Sequence, residues 1–170
     1  MNAPAGPLRP LLLPLARGFE WIAMALLIGA TSLIMAEVIG RGLFNLGLPW
    51  AGELARYCGL GVIFLTVPLL LARGGHVRVD LFLNLLPGAP RRVADLLNEA
   101  LTLLFCLLFL VSCYGFMQRA GRFSTPALGI PNLLYYLPAI AGMALTTLVA
   151  MDRLLGALLG RTAPEAQPDH

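Results

Sequence analysis

The chain has 170 residues, a hydrophobic fraction of 58% and a mean hydropathy of +0.80. Charged residues make up 12% of it, about half of the ~25% that is usual in soluble domains. This composition excludes a water-soluble globular domain, a disordered chain and a fibrous protein. The formal charge of +3 is small and dispersed, so the sequence gives no reason to expect a nucleic-acid partner.

Four apolar stretches, each bounded by charged residues, are long enough to cross a bilayer. A bilayer core requires about 20 consecutive, mostly apolar residues as a helix, and lipid offers no other partners for backbone polar groups. The predicted spans cover residues 19–40, 53–73, 98–118 and 131–154. Pro68 and Pro138 lie inside the second and fourth spans and predict kinks there. The predicted fold class is therefore an all-α integral membrane protein, one domain over residues 1–170 with a polar tail at 156–170.

The connection between the second and third spans, residues 74–97, predicts structure of its own. Asp80 is suited to cap a short helix, which Pro87 then ends. Pro90 is expected to begin a second helix that leads into the third span. The apolar face of the short helix predicts an amphipathic segment in the membrane interface, and it consists of Val79, Phe82, Leu83 and Leu86.

Arginine placement predicts the orientation in the membrane, because cytoplasmic segments carry an excess of basic residues. The chain has no lysine, and eight of its twelve arginines lie on the side of the two termini and the 74–97 connection. Both termini are therefore predicted to be cytoplasmic. The eight are Arg9, Arg17, Arg73, Arg78, Arg91, Arg92, Arg153 and Arg161; the other side has Arg41, Arg56, Arg119 and Arg122.

The residue types that usually carry chemistry are sparse. The two histidines, His76 and His170, lie outside the spans, so paired axial ligands for a membrane haem are not expected. Cys58, Cys106 and Cys113 lie in apolar segments and form no CxxC or Cys/His cluster. No nucleophile motif or nucleotide-binding loop occurs. The sequence therefore predicts no catalytic, metal or cofactor site.

The ionisable residues near the membrane all lie at or close to span ends. A coupled carrier normally has a polar site near the membrane midplane, whereas the mid-span polar residues here are serines and threonines, which are expected to bond their own helices. Glu53 and Arg56 share a helical face, which leaves two interpretations open, a local ion pair or a contact with a partner subunit. Residues at a spacing of four predict helix–helix contacts, and these are Ala55 with Gly59, and Gly142 with Thr146 and Ala150.

Residues 48–87 carry a composite pattern: Trp50, then E-L-A-R-Y from Glu53 to Tyr57, then a span that ends in R-G-G-H-V-R-V-D from Arg73 to Asp80. This pattern resembles the small membrane subunit of tripartite ATP-independent periplasmic (TRAP) transporters, the DctQ-like family, and the resemblance extends over about residues 19–155. The C-G-L-G stretch at 58–61 departs from it, since bulkier residues are expected there. The candidate motif or subunit-interface residues are Trp50, Glu53, Arg56, Tyr57, Arg73, Gly75, His76, Arg78 and Asp80.

The resemblance implies a role in the bacterial inner membrane as one part of an importer. Such transporters take up organic acids, such as C4-dicarboxylates, other carboxylates or sialic acid, using a sodium gradient. A DctP-like periplasmic binding protein captures the solute, and a DctM-like large membrane subunit holds the solute and sodium sites. The small subunit is expected to be a scaffold that steadies the large one and helps to dock the binding protein. It would have no cofactor of its own and would not be an enzyme.

Two other functions remain open at this point. An autonomous four-helix carrier, working as a homo-oligomer, would need Glu20 or Glu37 in a shared cavity. A membrane anchor of a redox or signalling complex would instead bind haem or quinone.

Overall fold

The structure, a computed structural model, describes residues 6–73, 89–120, 127–129 and 131–159. In these residues the chain forms four α-helices, each long and apolar enough to cross a membrane. The predicted all-α, four-span fold is therefore confirmed, whereas the interfacial segment predicted around Asp80 lies outside the described residues. The helices are α1 Arg9–Phe44, α2 Pro49–Ala72, α3 Ala89–Ala120 and α4 Asn132–Leu158.

All four helices are longer than the predicted spans, and α1 and α3 exceed them by the most. α1 has 36 residues, about 54 Å at 1.5 Å per residue, and thus exceeds the ~30 Å hydrocarbon core. Its C-cap is Asn45, whose φ of 50° is left-handed. The Leu46 N–H donates to the Gly40 carbonyl at 2.9 Å, a contact typical of a helix C-terminus. α3 begins at Ala89, next to Pro90, which agrees with the predicted second helix.

α2 and α4 are the central helices of the bundle. α1 packs on α2, α2 packs on α4, and α3 packs on α4. The most apolar stretch of α4 is 56% buried, against 6% for α3 and 11% for α1. α1 and α3 are therefore outer helices, and most of their surface is available to lipid or to other proteins.

A close backbone approach joins the two central helices. A Cβ at Gly142 would overlap the main-chain carbonyl of Phe64, so glycine is required for α4 to lie this near to α2. The predicted contact through Gly142, Thr146 and Ala150 is confirmed, because all three are buried. The prediction for Gly59 is wrong, since a Cβ there would have no neighbour within 4 Å.

The chain ends of the bundle and the turn between α1 and α2 lie on opposite sides. We call the side with the start of α1 and the end of α4 the terminal side, and the side with residues 45–48 the loop side. The main apolar core lies towards the terminal side, where α1, α2 and α4 meet. It consists of Leu12, Ala16, Leu69, Leu71, Leu145, Val149 and Ala150.

Candidate subunit-docking site

On the loop side, Glu53 connects the start of α2 to the segment that precedes α4. Its Oε2 accepts the backbone N–H groups of Ala127 at 3.0 Å and Leu128 at 2.9 Å. These two residues lie in a turn before α4, so the carboxylate satisfies backbone donors that no helix pairs. Glu53 and Arg56 form no ion pair in the described part of the chain, and Arg56 is exposed. The local-pair interpretation is therefore wrong.

Two further motif residues lie beside Glu53 on the first turns of α2. Trp50 is 44% exposed, although tryptophan is mostly buried in folded proteins. Tyr57 is partly buried. Trp50 and Arg56 together therefore present an aromatic ring and a cation at the loop side, and we call this pair the loop-side surface.

A second carboxylate, Glu37, reinforces the same side of the bundle. Arg41 Nη2 donates to Glu37 Oε1 at 2.7 Å, an i,i+4 pair on α1. Glu37 Oε2 lies 2.7 Å from the position that a Cβ would occupy at Gly52. Only glycine at 52 allows the carboxylate to approach the start of α2 this closely, and nothing in the sequence pattern predicts this contact.

The remaining motif residues lie on the terminal side or outside the described residues. Arg73 approaches Glu20 with both N···O distances at 3.5 Å, and the pair is exposed, so it contributes little to stability. Arg73 is 20 residues after Glu53, about 30 Å along a helix. The motif residues therefore do not converge on one site. Four motif residues lie outside the described part of the chain: Gly75, His76, Arg78 and Asp80.

An autonomous carrier would need Glu20 or Glu37 in a cavity that its copies share. Glu20 and Glu37 are 17 residues apart on α1, about 25 Å along the helix. Each has an arginine partner, Arg73 and Arg41 respectively. Each carboxylate is therefore held by an arginine near one end of the bundle.

The most strongly buried charges are on the terminal side. Arg153 on α4 donates from Nε to Glu99 Oε2 at 3.1 Å and from Nη2 to Glu99 Oε1 at 2.6 Å. Its Nη1 donates to the carbonyl of Leu71, in the last turn of α2. The side chains of Arg153 and Glu99 are only 4% and 1% exposed. One guanidinium thus connects α2, α3 and α4.

A neighbouring contact adds the first helix to this group. Asp152 Oδ1 accepts the N–H of Leu8 at 2.8 Å, just before α1. Sequence reasoning missed Asp152, Arg153 and Glu99 as a cluster. The available signal was that opposite charges occur at the terminal-side ends of α3 and α4.

Six of the seven mid-span hydroxyls, all except that of Ser112, bond their own helices as predicted. Each donates to the carbonyl four residues earlier, at 2.7–2.9 Å. The hydroxyls that bond in this way are those of Thr31, Ser32, Thr66, Thr102, Thr146 and Thr147.

Across the part of the chain that the structure describes, no group of three or more His, Cys, Asp or Glu side chains could hold a metal ion.

These observations define a class: a multi-pass membrane protein with four packed spans, whose charged side chains are fixed at the two ends of the bundle. The family profile described as "Tripartite ATP-independent periplasmic transporters, DctQ component" matches residues 20–160. The chain therefore belongs to the DctQ family, a component of TRAP transporters, and is a multi-pass protein of the bacterial inner membrane.

Individual relatives agree with this family. A Haemophilus influenzae protein, described as a candidate TRAP transporter small permease protein, is 22% identical over 84% of this chain and 88% of its own length. The C4-dicarboxylate TRAP transporter small permease protein DctQ of Vibrio cholerae is 27% identical over 69% of this chain and 53% of its own length. The sialic acid TRAP transporter permease protein SiaT of H. influenzae is 26% identical over 54% of this chain, but only 15% of SiaT is covered.

Proposed function

We propose that the chain is the small permease subunit of a sodium-gradient-driven organic acid importer, in which it steadies a large transport subunit and helps to dock a periplasmic binding protein. The observation that carries this proposal is the DctQ family match over residues 20–160. In the proposed orientation both termini are cytoplasmic, so the loop-side surface faces the periplasm.

The distribution of contacts supports a static role for the bundle. Arg153 holds three helices together on the terminal side, and Glu53 holds α2 to the segment before α4 on the loop side. Contacts of this kind at both ends oppose the sliding of one helix past another. The charged residues of the chain lie at these ends, whereas coupled carriers place solute and ion sites near the midplane. Solute and sodium binding are therefore assigned to the large subunit.

The outer helices provide the area that a scaffold requires. α1 and α3 expose large apolar side chains along their lengths, such as Ile28 at 69% and Val111 at 69%. In a bilayer such faces contact either lipid or the helices of another subunit. The large subunit is proposed to pack against one of them.

The names of two relatives guide the choice of solute. One relative is named for C4-dicarboxylates and another for sialic acid, and both are organic acids. We accordingly propose a carboxylate solute, which the binding protein would deliver to the large subunit.

The first test is an affinity pull-down of the tagged chain from gently solubilised native membranes, followed by mass spectrometry. A large polytopic membrane protein in near-equal amount is expected. Recovery of this chain alone, as a defined oligomer, would contradict the scaffold role and favour the autonomous carrier.

A second test addresses docking. The two membrane subunits and the binding protein are reconstituted, and uptake of radiolabelled succinate or sialic acid is measured with sodium or potassium outside the vesicles. Trp50→Ala and Arg56→Ala are expected to reduce uptake without reducing membrane insertion. Trp21→Ala is the matched control, because Trp21 is 71% exposed on the terminal side. Equal uptake by all three variants would mean that the loop-side surface docks nothing.

A further inference from the structure

α2 and α3 leave an apolar groove between them in the middle of the membrane. Both pack on α4, but they approach each other mainly through the rings of Phe64 and Phe109, whose centroids are 5.4 Å apart. This ring contact divides the groove into two cavities, because both rings line both of them. The loop-side cavity has a volume of about 300 Å³, and the terminal-side cavity about 520 Å³.

The terminal-side cavity is built almost entirely from apolar groups. Two threonines in its wall, Thr102 and Thr146, donate to carbonyls of their own helices, so neither hydroxyl hydrogen is left to bind a polar ligand. At its mouth Phe105 is 64% exposed. The cavity therefore suits an apolar occupant that enters from the side. Its other lining residues include Val67, Leu101, Cys106 and Met143.

The depth of each cavity matches one leaflet of the bilayer. Leu101 and Phe109 are eight residues apart on α3, about 12 Å of helix. Phe109 and Phe116, which lines the loop-side cavity, are seven residues apart, about 10 Å. Half of a ~30 Å hydrocarbon core is about 15 Å. The groove therefore consists of two leaflet-deep cavities, which the pair of phenylalanines separates near the midplane.

This division decides between the two kinds of apolar occupant that a membrane offers. A helix of another protein, about 10–12 Å across with its side chains, needs an uninterrupted groove, and the Phe64–Phe109 contact interrupts this one. A flexible hydrocarbon chain needs only one leaflet of depth. The volume of about 520 Å³ also lies within the ~300–1,000 Å³ typical of small-molecule sites.

The charge at the terminal side indicates which lipid would supply that chain. The first turn of α3 contains Arg91 and Arg92, roughly 14 Å before Leu101 along the helix, at the depth of the headgroups beyond the hydrocarbon. Two carboxylates lie nearer to the cavity on the same helix, but Glu99 pairs with Arg153 and Asp95 also has a partner. Two arginines at headgroup depth favour an anionic headgroup.

We propose that the terminal-side cavity between α2 and α3 binds one acyl chain of an anionic phospholipid, with the lipid phosphate at the N-terminal turn of α3. The bound chain fills the space that α2 and α3 leave open and thereby supports the outer helix, α3. This inference concerns a lipid and does not depend on which solute or large subunit the chain serves.

The test uses the purified full-length chain in phosphatidylcholine vesicles that contain phosphatidylglycerol with a diazirine in its acyl chain. After illumination, mass spectrometry maps the labelled residues. Labelling is expected to concentrate on Val67, Phe105 and Cys106, relative to the exposed Ile28 on α1. Excess unlabelled phosphatidylglycerol should reduce the labelling of the groove, and phosphatidylcholine with the same chains should not.

Val67→Trp fills the cavity and is expected to lower groove labelling by at least about fivefold, equivalent to ~1 kcal/mol of binding free energy. Leu70→Trp is the matched control, because Leu70 is on the same helix, is 46% exposed and does not line the cavity. Even labelling of all exposed faces, or unchanged labelling in Val67→Trp, would overturn the proposal. If Val67→Trp does not fold, the lipid competition on the unchanged chain decides.

Discussion

Arg153 is the residue whose loss is expected to destabilise the bundle most. Its guanidinium makes two hydrogen bonds to Glu99 and one to the Leu71 carbonyl, and its side chain is 4% exposed. Arg153→Met removes all three bonds at nearly constant length. A buried carboxylate then loses two hydrogen bonds, and a buried carbonyl loses one. Removal of one partner of a buried pair costs ~3–5 kcal/mol.

The same end of the bundle contains a matched control. Arg73 also faces a carboxylate, Glu20, but at 3.5 Å and with 54% and 30% of the two side chains exposed. Arg73→Met is therefore expected to cost about 0–1 kcal/mol. The double variant Glu99→Leu/Arg153→Met removes both buried charges and should regain much of the loss. It remains ~1–3 kcal/mol below the unchanged chain, because the Leu71 carbonyl still lacks its donor.

Thermal unfolding in detergent, followed with a thiol-reactive dye, measures these differences. Cys58 and Cys106 are 7% and 2% exposed, so they react when the bundle opens. Scaled as for a soluble domain of this length, Arg153→Met lowers the midpoint by about 6–20 °C and Arg73→Met by at most ~4 °C. If the two variants melt within 2 °C of each other, or if the double variant is no more stable than Arg153→Met, the buried pair does not hold the helices together.

Three further predictions use other contacts. Gly142→Ala is expected to lower the melting midpoint, because its Cβ would overlap a main-chain carbonyl of α2. Gly59→Ala is the control: its Cβ has open space, so the variant should be neutral or slightly stabilising. Equal midpoints in the two variants would contradict the close approach of α4 to α2. Glu53→Ala should increase the rate of hydrogen exchange at the two amides that donate to its carboxylate, by about fivefold for a bond worth ~1 kcal/mol. Arg56→Ala should leave that rate unchanged, so similar exchange in both variants would refute the contact. Glu37→Gln should leave sodium-driven uptake by the assembled transporter within about twofold of the unchanged protein, because the glutamine oxygen can still accept from Arg41. Loss of uptake would indicate that the Glu37 carboxylate takes part in coupling.

The number of spans and the mid-span hydroxyl bonds were predictable because both are local properties. Hydropathy and length decide whether a segment crosses the bilayer, and a threonine reaches the carbonyl four residues earlier whatever surrounds the helix. The position of Ala89, the first residue of α3, also followed from a local signal, the adjacent proline.

Contacts between distant segments were not predictable in this way. Glu53 was expected to pair with Arg56 or with another subunit, because both lie on one helical face. Within the chain it accepts from backbone groups 74 and 75 residues later. A carboxylate accepts hydrogen bonds from the donors that are near it in the folded chain. The spacing of residues in the sequence does not indicate which distant segment will lie beside it.

Gly59 and Gly142 show the same limit for packing. Both belong to patterns of small residues at a spacing of four, yet only Gly142 lies against a neighbouring backbone. The sequence by itself therefore determined that this is a four-span membrane protein of the DctQ type with its charges at the span ends. The tertiary structure decided which charges meet, which small residues pack, and where α2 and α3 leave an open groove. These contacts depend on the order and the angles at which the helices pack beside one another. Hydropathy measures only transfer into lipid and is almost the same for every such arrangement.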